Sequence, residues 1–350
     1  MRMADIAKRF PQNPILKPAD IRPSMAGMKV ECLLNPGVFR FDGKTWLLLR
    51  VAERPGQKQG RTSFPILTEE GAMEILEFEN SDPMLDLSDP RIIRYAGRDY
   101  LTTLSHLRLV SSEDGIRFAE QTPYPPILGR GELESYGIED CRVAQIGEKY
   151  CLSYTAVSPN GVGVGLRTTT DWREFVSYGM IFSPHNKDCA IFTEKIGEKY
   201  FALHRPSSVQ VGGNYIWLAE SPDLAHWGKN RCIATTRPGS WDSARIGAGA
   251  APIRTPEGWL EIYHGADAGH RYCLGALLLD LEQPWKVLAR SKEPIMEPIA
   301  DYERTGFFGN VVFTNGHVVE GDRITLYYGA SDSVICGATL SIDELLRGLL

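Results

Sequence analysis

The chain contains few groupings of the kind that carry chemistry, and each also has a purely structural reading. Asp140 stands in Asp140-Cys141-Arg142, where it is either an acid just ahead of a strand or a turn aspartate paired with Arg142. Lys187, Arg205 and Arg245, taken singly, read as solvated cations or ion-pair partners. His204 and His264 end apolar strands and serve equally as ligands or as satisfied core histidines; Asn35 before Pro-Gly and Asp332 in Gly-Ala-Ser-Asp fit turns as readily as a binding site. Gly161-Val-Gly-Val-Gly-Leu166 is followed by Arg-Thr-Thr-Thr without the Lys-Ser/Thr of a phosphate-cradling loop, so it reads as a strand of small residues. No His and carboxylate grouping has metal-ligand spacing, so neither a metal nor an organic cofactor is expected.

Strands have to hold these residues. A hairpin-like unit, a Gly- and charge-rich turn followed by an alternating or aromatic-rich run, recurs at 41–50, 96–104, 147–154, 197–204, 257–264 and 321–328. A second unit places an Asp four residues before an aromatic: Asp114 before Phe118, Asp171 before Phe175 and Asp223 before Trp227. That spacing fits a polar turn followed by a plug between sheets, repeated at about one propeller blade. Ser341 with Glu344 forms a capping box for a short terminal helix, and the first ten residues are a second helix candidate. No linker, low-complexity stretch or charge block divides the chain, so residues 1–350 are expected to form one domain.

The 350 residues, 43% hydrophobic, can bury a large core. A net charge of -6 with interspersed signs offers no basic face for nucleic acid and no polybasic tail for membranes, so the expected partner is a small molecule. Residues 1–10 lack the apolar core of a signal peptide, and no apolar run is long enough to span a bilayer; a cytoplasmic location follows as an expectation. The 7 cysteines form no CxxC pair, which points away from a disulfide framework or a zinc site.

Several stretches together resemble glycoside hydrolase family 130, the mannoside phosphorylases and related β-mannosidases. They are Asn35-Pro-Gly-Val, Leu-Leu-Leu-Arg50-Val-Ala-Glu53, Gly137-Ile-Glu-Asp140-Cys-Arg142, Asn186-Lys187-Asp, Leu-His204-Arg205-Pro206, Ala-Arg245-Ile-Gly, Tyr263-His264-Gly265 and Tyr327-Tyr-Gly-Ala-Ser-Asp332. The resemblance implies an all-β, five-bladed β-propeller with short terminal helices and its active site in a central depression. The surplus hairpin is then an insertion at residues 80–110, with His106 and Arg108 as candidate rim contacts.

It further implies an inverting cleavage of β-mannosides by inorganic phosphate, giving α-mannose 1-phosphate. Asp140 takes the place of the family's catalytic acid, which acts through a sugar hydroxyl in a proton relay, and a raised pKa is expected for it. Lys187, Arg205 and Arg245 fall where the phosphorylases hold phosphate, although some relatives have Arg at the first position and Lys at the third. The mannose meets Asn35, Arg50 and Asp332, with His204, Tyr263 and His264 close by. The loop aromatics Tyr136, Trp241, Phe307 and Phe308 could stack on a sugar face. The 50–53 and 204–206 signatures resemble the part of the family acting on β-1,2-linked mannobiose or oligomannan; mannosyl-glucose and mannosyl-N-acetylglucosamine stay open. Two alternatives accompany this reading. One is a β-1,2-mannosidase using Glu139 and Glu194 to activate water; the other is a non-catalytic glycan-binding propeller. Family members are often oligomers, so a homo-oligomer is a further expectation.

Overall fold

The computed structural model describes residues 5–89, 92–207 and 210–350. Five larger antiparallel sheets follow one another along the chain. The first contains Met28–Phe41, Lys44–Pro55, Leu104–Ser112 and Ala119–Glu120; the second, Ile138–Ile146, Lys149–Ser158, Gly161–Thr169 and Val176–Phe182. The third contains Asn186–Ile191, Tyr200–Pro206, Ile216–Ser221 and Gly228–Ala234. The fourth is built on Arg245–Gly247, Gly258–Ala266, Tyr272–Leu279 and Val287–Arg290, with Ile253–Thr255 also paired to Gly258–Ala266. The fifth joins Val312–Glu320, Arg323–Ala330 and Val334–Ser341 to the N-terminal Lys8–Arg9.

Residues 61–101 add a two-stranded sheet, Arg61–Leu67 with Met73–Glu79, and a three-stranded sheet of Leu85–Asp86, Ile92–Tyr95 and Arg98–Leu101. The described residues thus pair into seven separate sheets, none closed into a propeller barrel. On this finding the expected five-bladed propeller with short terminal helices is corrected. Among the described residues the α-helices are Asp301–Arg304, which is internal, and Ile342–Leu349; Lys8–Arg9 is strand rather than helix, and residues 1–4 lie outside the described part. The expected insertion at 80–110 is also redrawn. Leu104–Ser112 pairs along the whole of Thr45–Glu53 in the first sheet, so the added part is the two small sheets. Pro90 and Arg91, within that stretch, lie outside the described residues.

Buried clusters join the larger sheets in sequence. Phe39, Trp46 and Leu107 of the first pack with Tyr150 and Leu152 of the second, and Val164 of the second with Ala202 of the third. Phe201 and Leu218 of the third meet Trp259 and Tyr263 of the fourth, Ile262 of the fourth meets Leu326 of the fifth, and Tyr327 of the fifth meets Val38 of the first. The Asp turns are realised as expected: the Oδ1 of Asp114, Asp171 and Asp223 accepts backbone N–H groups two and three residues on. After them Trp172 and Leu224 are buried, and Phe118, Phe175 and Trp227 pack against the clusters. Such side chains each contribute about 1.5–3 kcal/mol by leaving water. Ser341 Oγ accepts the Glu344 N–H at 3.1 Å and caps the last helix. Among the described residues, no helix is long and apolar enough to cross a membrane.

Candidate active site

The opening strand of each of the first three sheets breaks its ladder beside the cleft, and that of the first sheet breaks also between Val30 and Cys32. The register shifts beside the cleft lie between Leu34 and Gly37, Glu139 and Arg142, and Lys187 and Ala190. Inside each bulge stands a residue of positive φ: Asn35 at 27°, Asp140 at 46° and Asp188 at 54°. Asn and Asp enter this left-handed region more readily than other side-chain-bearing residues, and a bulge re-aims the side chain it carries. All three line one cleft of about 560 Å³.

Into the same cleft come Arg50, Lys187, Arg205, Arg245, His264, His270, Tyr272, Phe308 and Asp332. One side is carboxylate-rich. Arg50 donates from Nη1 to Asp140 Oδ1 at 3.1 Å, from Nη2 to Glu139 Oε1 at 2.8 Å and from Nε to Ser105 Oγ at 3.1 Å. Asn35 Nδ2 donates to the same Asp140 oxygen at 3.1 Å. Burial alone would raise the Asp140 pKa, but Arg50, Arg142 and Lys187, aided by the Asn35 bond, outweigh it and hold the carboxyl below its ordinary value. The raised pKa expected for Asp140 is therefore corrected for the free protein: cations surround it. Asp332 behaves in the opposite way. Burial pushes it up to about 6, against the pull of Arg50, and the charges of Asp140 and Glu139 add to the rise.

The other side is cationic and is organised around Asp188, which the sequence reading passed over. Its Oδ1 accepts from Arg142 Nη2 at 3.0 Å; its Oδ2 lies 2.9 Å from Arg205 Nε and 3.3 Å from His264 Nε2. The Arg205 contact is not aligned as a hydrogen bond and holds by charge and proximity, whereas burial lowers the His264 pKa, so that ring meets Asp188 as a polar neighbour. Burial disfavours the Asp188 anion, but Arg205, His264 and Arg142 prevail and keep it ionised well below the usual range. Arg142 is 2% exposed and also donates to the carbonyls of Asp140, Ala248 and Gly249, so it fastens the floor of the cleft. Arg245 donates to the Tyr272 hydroxyl at 3.0 Å. Lys187 pairs in register with Arg205, and among the described residues it has no carboxylate partner.

Of the residues singled out in the sequence, Asn35, Arg50, Asp140, Lys187, Arg205, Arg245, His264 and Asp332 meet in the cleft. His204 and Tyr263 do not. His204 stacks on Phe182 at 4.2 Å and bonds to Asn186; Tyr263 donates to Asp242 at 2.9 Å inside a core cluster. The reason is the pleat: neighbours along a strand face opposite ways, so Arg205 and His264 can enter the cleft only if His204 and Tyr263 turn away. Among the loop aromatics, Phe308 lines the cleft, Phe307 is 73% exposed, and Trp241 is buried against Tyr263. His106 and Arg108 are not rim contacts: both are buried, His106 against Glu53 and Arg108 against Glu120 and the Arg22 carbonyl. Glu139 is tied to Arg50, while Glu194 pairs with Arg254 outside the lining of the cleft.

The fold is shared with a glycosyl hydrolase structure from Bacteroides ovatus, 20% identical, which aligns with a TM-score of 0.74 over 97% of this chain and 94% of that one. The chain belongs to glycoside hydrolase family 130, whose model, described as beta-1,4-mannooligosaccharide phosphorylase, matches residues 103–349. A beta-1,2-mannobiose phosphorylase of Listeria innocua is 44% identical over 97% of this chain and 98% of its own length. The structure of the Listeria innocua enzyme in complex with beta-1,2-mannobiose aligns with a TM-score of 0.91 at 43% identity, over 98% of this chain and 99% of that one. A 1,2-beta-oligomannan phosphorylase of Thermoanaerobacter is 39% identical over 69% of this chain and 80% of its own length.

Proposed function

We propose that this enzyme is an inverting phosphorylase that converts β-1,2-linked mannobiose or oligomannan and inorganic phosphate into α-mannose 1-phosphate and a shortened acceptor. The observation that carries the reading is the convergence of Lys187, Arg205 and Arg245 on the cleft that also holds Asp140. An anion bound by these cations needs no second carboxylate to activate it. The relatives support the linkage: the two with the higher identities quoted above act on β-1,2 bonds, whereas the family description names a β-1,4 substrate.

In this account a phosphate oxygen attacks C1 of the mannosyl unit from the face opposite the bond that breaks, and the configuration inverts. Asp140 supplies the proton that reaches the departing oxygen, through a sugar hydroxyl. Bound phosphate cancels part of the cationic field that keeps Asp140 ionised, so the acid gains its proton when the second substrate is in place. Arg50 holds Asp140 in position, and Asn35, His264 and Asp332 meet the sugar. Asp188 fixes Arg205 and His264. Glu194, paired outside the cleft lining, lends nothing to the hydrolytic alternative. Residues 1–350 act as one catalytic domain in this reading, supported by the clusters that join successive sheets, and six buried thiols of seven favour the reducing cytoplasm.

The reverse reaction tests the proposal. Incubation with α-mannose 1-phosphate and mannose should release inorganic phosphate and form β-1,2-mannobiose. Absence of phosphate release, with hydrolysis of β-1,2-mannobiose in the forward direction, would make the enzyme a mannosidase.

A further inference from the structure

The opening strand of the fifth sheet is broken as well: Val312–Glu320 shifts register against Arg323–Ala330 between Thr314 and Gly316. Asn315, the residue inside the break, is 1% exposed and does not line the cleft, although Phe313, two residues earlier, does. Its side chain crosses to the first sheet, where Nδ2 donates to the Asn35 carbonyl at 3.1 Å. A carbonyl only accepts, so the amide nitrogen has to be the atom that faces it. The two strands meet closely here: a Cβ on Gly316 would stand 2.4 Å from the Val38 nitrogen.

Asn315 Oδ1, buried beside that bond, has no hydrogen-bond partner among the described residues. A half-satisfied amide is costly at a junction between two strands, and a leucine of comparable length would leave no such atom. What leucine cannot do is hold the Asn35 carbonyl.

Asn35 needs holding. Its φ of 27° lies in the left-handed region, and residues in such conformations persist where their surroundings over-determine them. Three contacts do so. Asn315 takes the carbonyl; Gly329, where a Cβ would stand 2.4 Å from Asn35 Oδ1, closes over one side of the amide; and Asn35 Nδ2 donates to Asp140 Oδ1 at 3.1 Å. A chain of hydrogen bonds thus runs from the fifth sheet through the first to the second, and it ends on the carboxylate oxygen that Arg50 Nη1 also reaches.

We propose that Asn315 is a positioning residue for the catalytic acid: by holding the carbonyl of Asn35 it fixes the amide that orients the Asp140 carboxylate. The inference rests on the reading of Asp140 as the acid given above. Asn315→Leu removes the donor. Stability should change little, because the variant loses one unpaired buried acceptor, Asn315 Oδ1, and leaves another, the Asn35 carbonyl. The kcat on β-1,2-mannobiose should fall about tenfold, the effect of one lost hydrogen bond felt at the acid. The KM for phosphate should stay within about twofold, since the cations line the opposite side of the cleft.

Asn35→Gly tolerates the left-handed backbone and deletes the amide, which makes it the decisive background. There Asn315→Leu should lower kcat by no more than about twofold further, because both substitutions break the same chain. Losses that multiply as if independent, an unchanged kcat in the single variant, or a phosphate KM that rises as steeply as kcat falls would overturn the proposal. If Asn315→Leu does not fold, Asn315→Ala carries the same cycle. Failure of the parent reading shows separately: a wild type that releases two mannoses without phosphate is not a phosphorylase, and the cycle, followed on mannose release, still judges Asn315.

Discussion

Replacing Lys187 by Met separates the two tasks given to the cationic side of the cleft. The ammonium lines the cavity in register with Arg205 and also helps keep Asp140 ionised, while Arg50 continues to hold Asp140 from the other side. A hydrogen bond to a charged group has a net worth of about 1.5–3 kcal/mol. At about 1.4 kcal/mol per factor of ten, the KM for phosphate should rise about 10- to 150-fold. The KM for β-1,2-mannobiose should move less than about threefold, since the lost contact is to the other substrate. A second readout comes from pH. Asp140 must carry a proton to serve as the acid, so activity falls as pH rises through its pKa in the complex. Removing a cation raises that pKa, and the alkaline limb of the profile should shift upward. Initial rates at varied phosphate, repeated across pH, measure both. An unchanged phosphate KM, or a mannobiose KM that rises in parallel, would refute the assignment of Lys187 to phosphate.

Other perturbations have defined outcomes. Asp140→Asn should reduce kcat by about 10²–10⁴-fold with little effect on either KM, as steady-state kinetics would show. Asp188→Asn leaves Arg142 and Arg205 without their buried anion; breaking such a pair costs about 3–5 kcal/mol, and denaturant unfolding should register it. Glu261 is fully buried, accepts the Gly249 N–H at 2.8 Å, and is held well above its ordinary pKa by burial against the Gly249 bond and Arg142. A raised acid gives stability that is complete below the unfolded pKa and lost as pH rises, because the unfolded chain releases the proton first. Glu261→Gln should therefore flatten the fall in unfolding free energy between acid and alkaline pH, a change that unfolding at several pH values would reveal.

Much of the scaffold is legible in local sequence. The Asp114, Asp171 and Asp223 turns and the Ser341 cap are short-range hydrogen-bond patterns, and they are met as read. Sheet membership is less accessible. Lys8–Arg9 is two residues long and pairs with 338–339, which no periodicity signals, and Leu104–Ser112 is assigned by its cross-strand partners rather than its own composition. The site was readable where residue type and strand face agree. His204 beside Arg205, and Tyr263 beside His264, could have been divided by alternation alone. Asp188 had a signal too: like Asn35 and Asp140 it is of a residue type that tolerates positive φ, as these bulges require. The cationic shift of Asp140 was not readable, because Arg50 approaches it from 90 residues away.

Phosphate, held by Lys187, Arg205 and Arg245, is the proposed nucleophile. Incubation of the purified enzyme with β-1,2-mannobiose, with and without inorganic phosphate, and separate quantification of mannose 1-phosphate and free mannose, tests it most directly. Mannose 1-phosphate and one equivalent of mannose should form, and only when phosphate is present. Two equivalents of mannose at a rate independent of phosphate would contradict it.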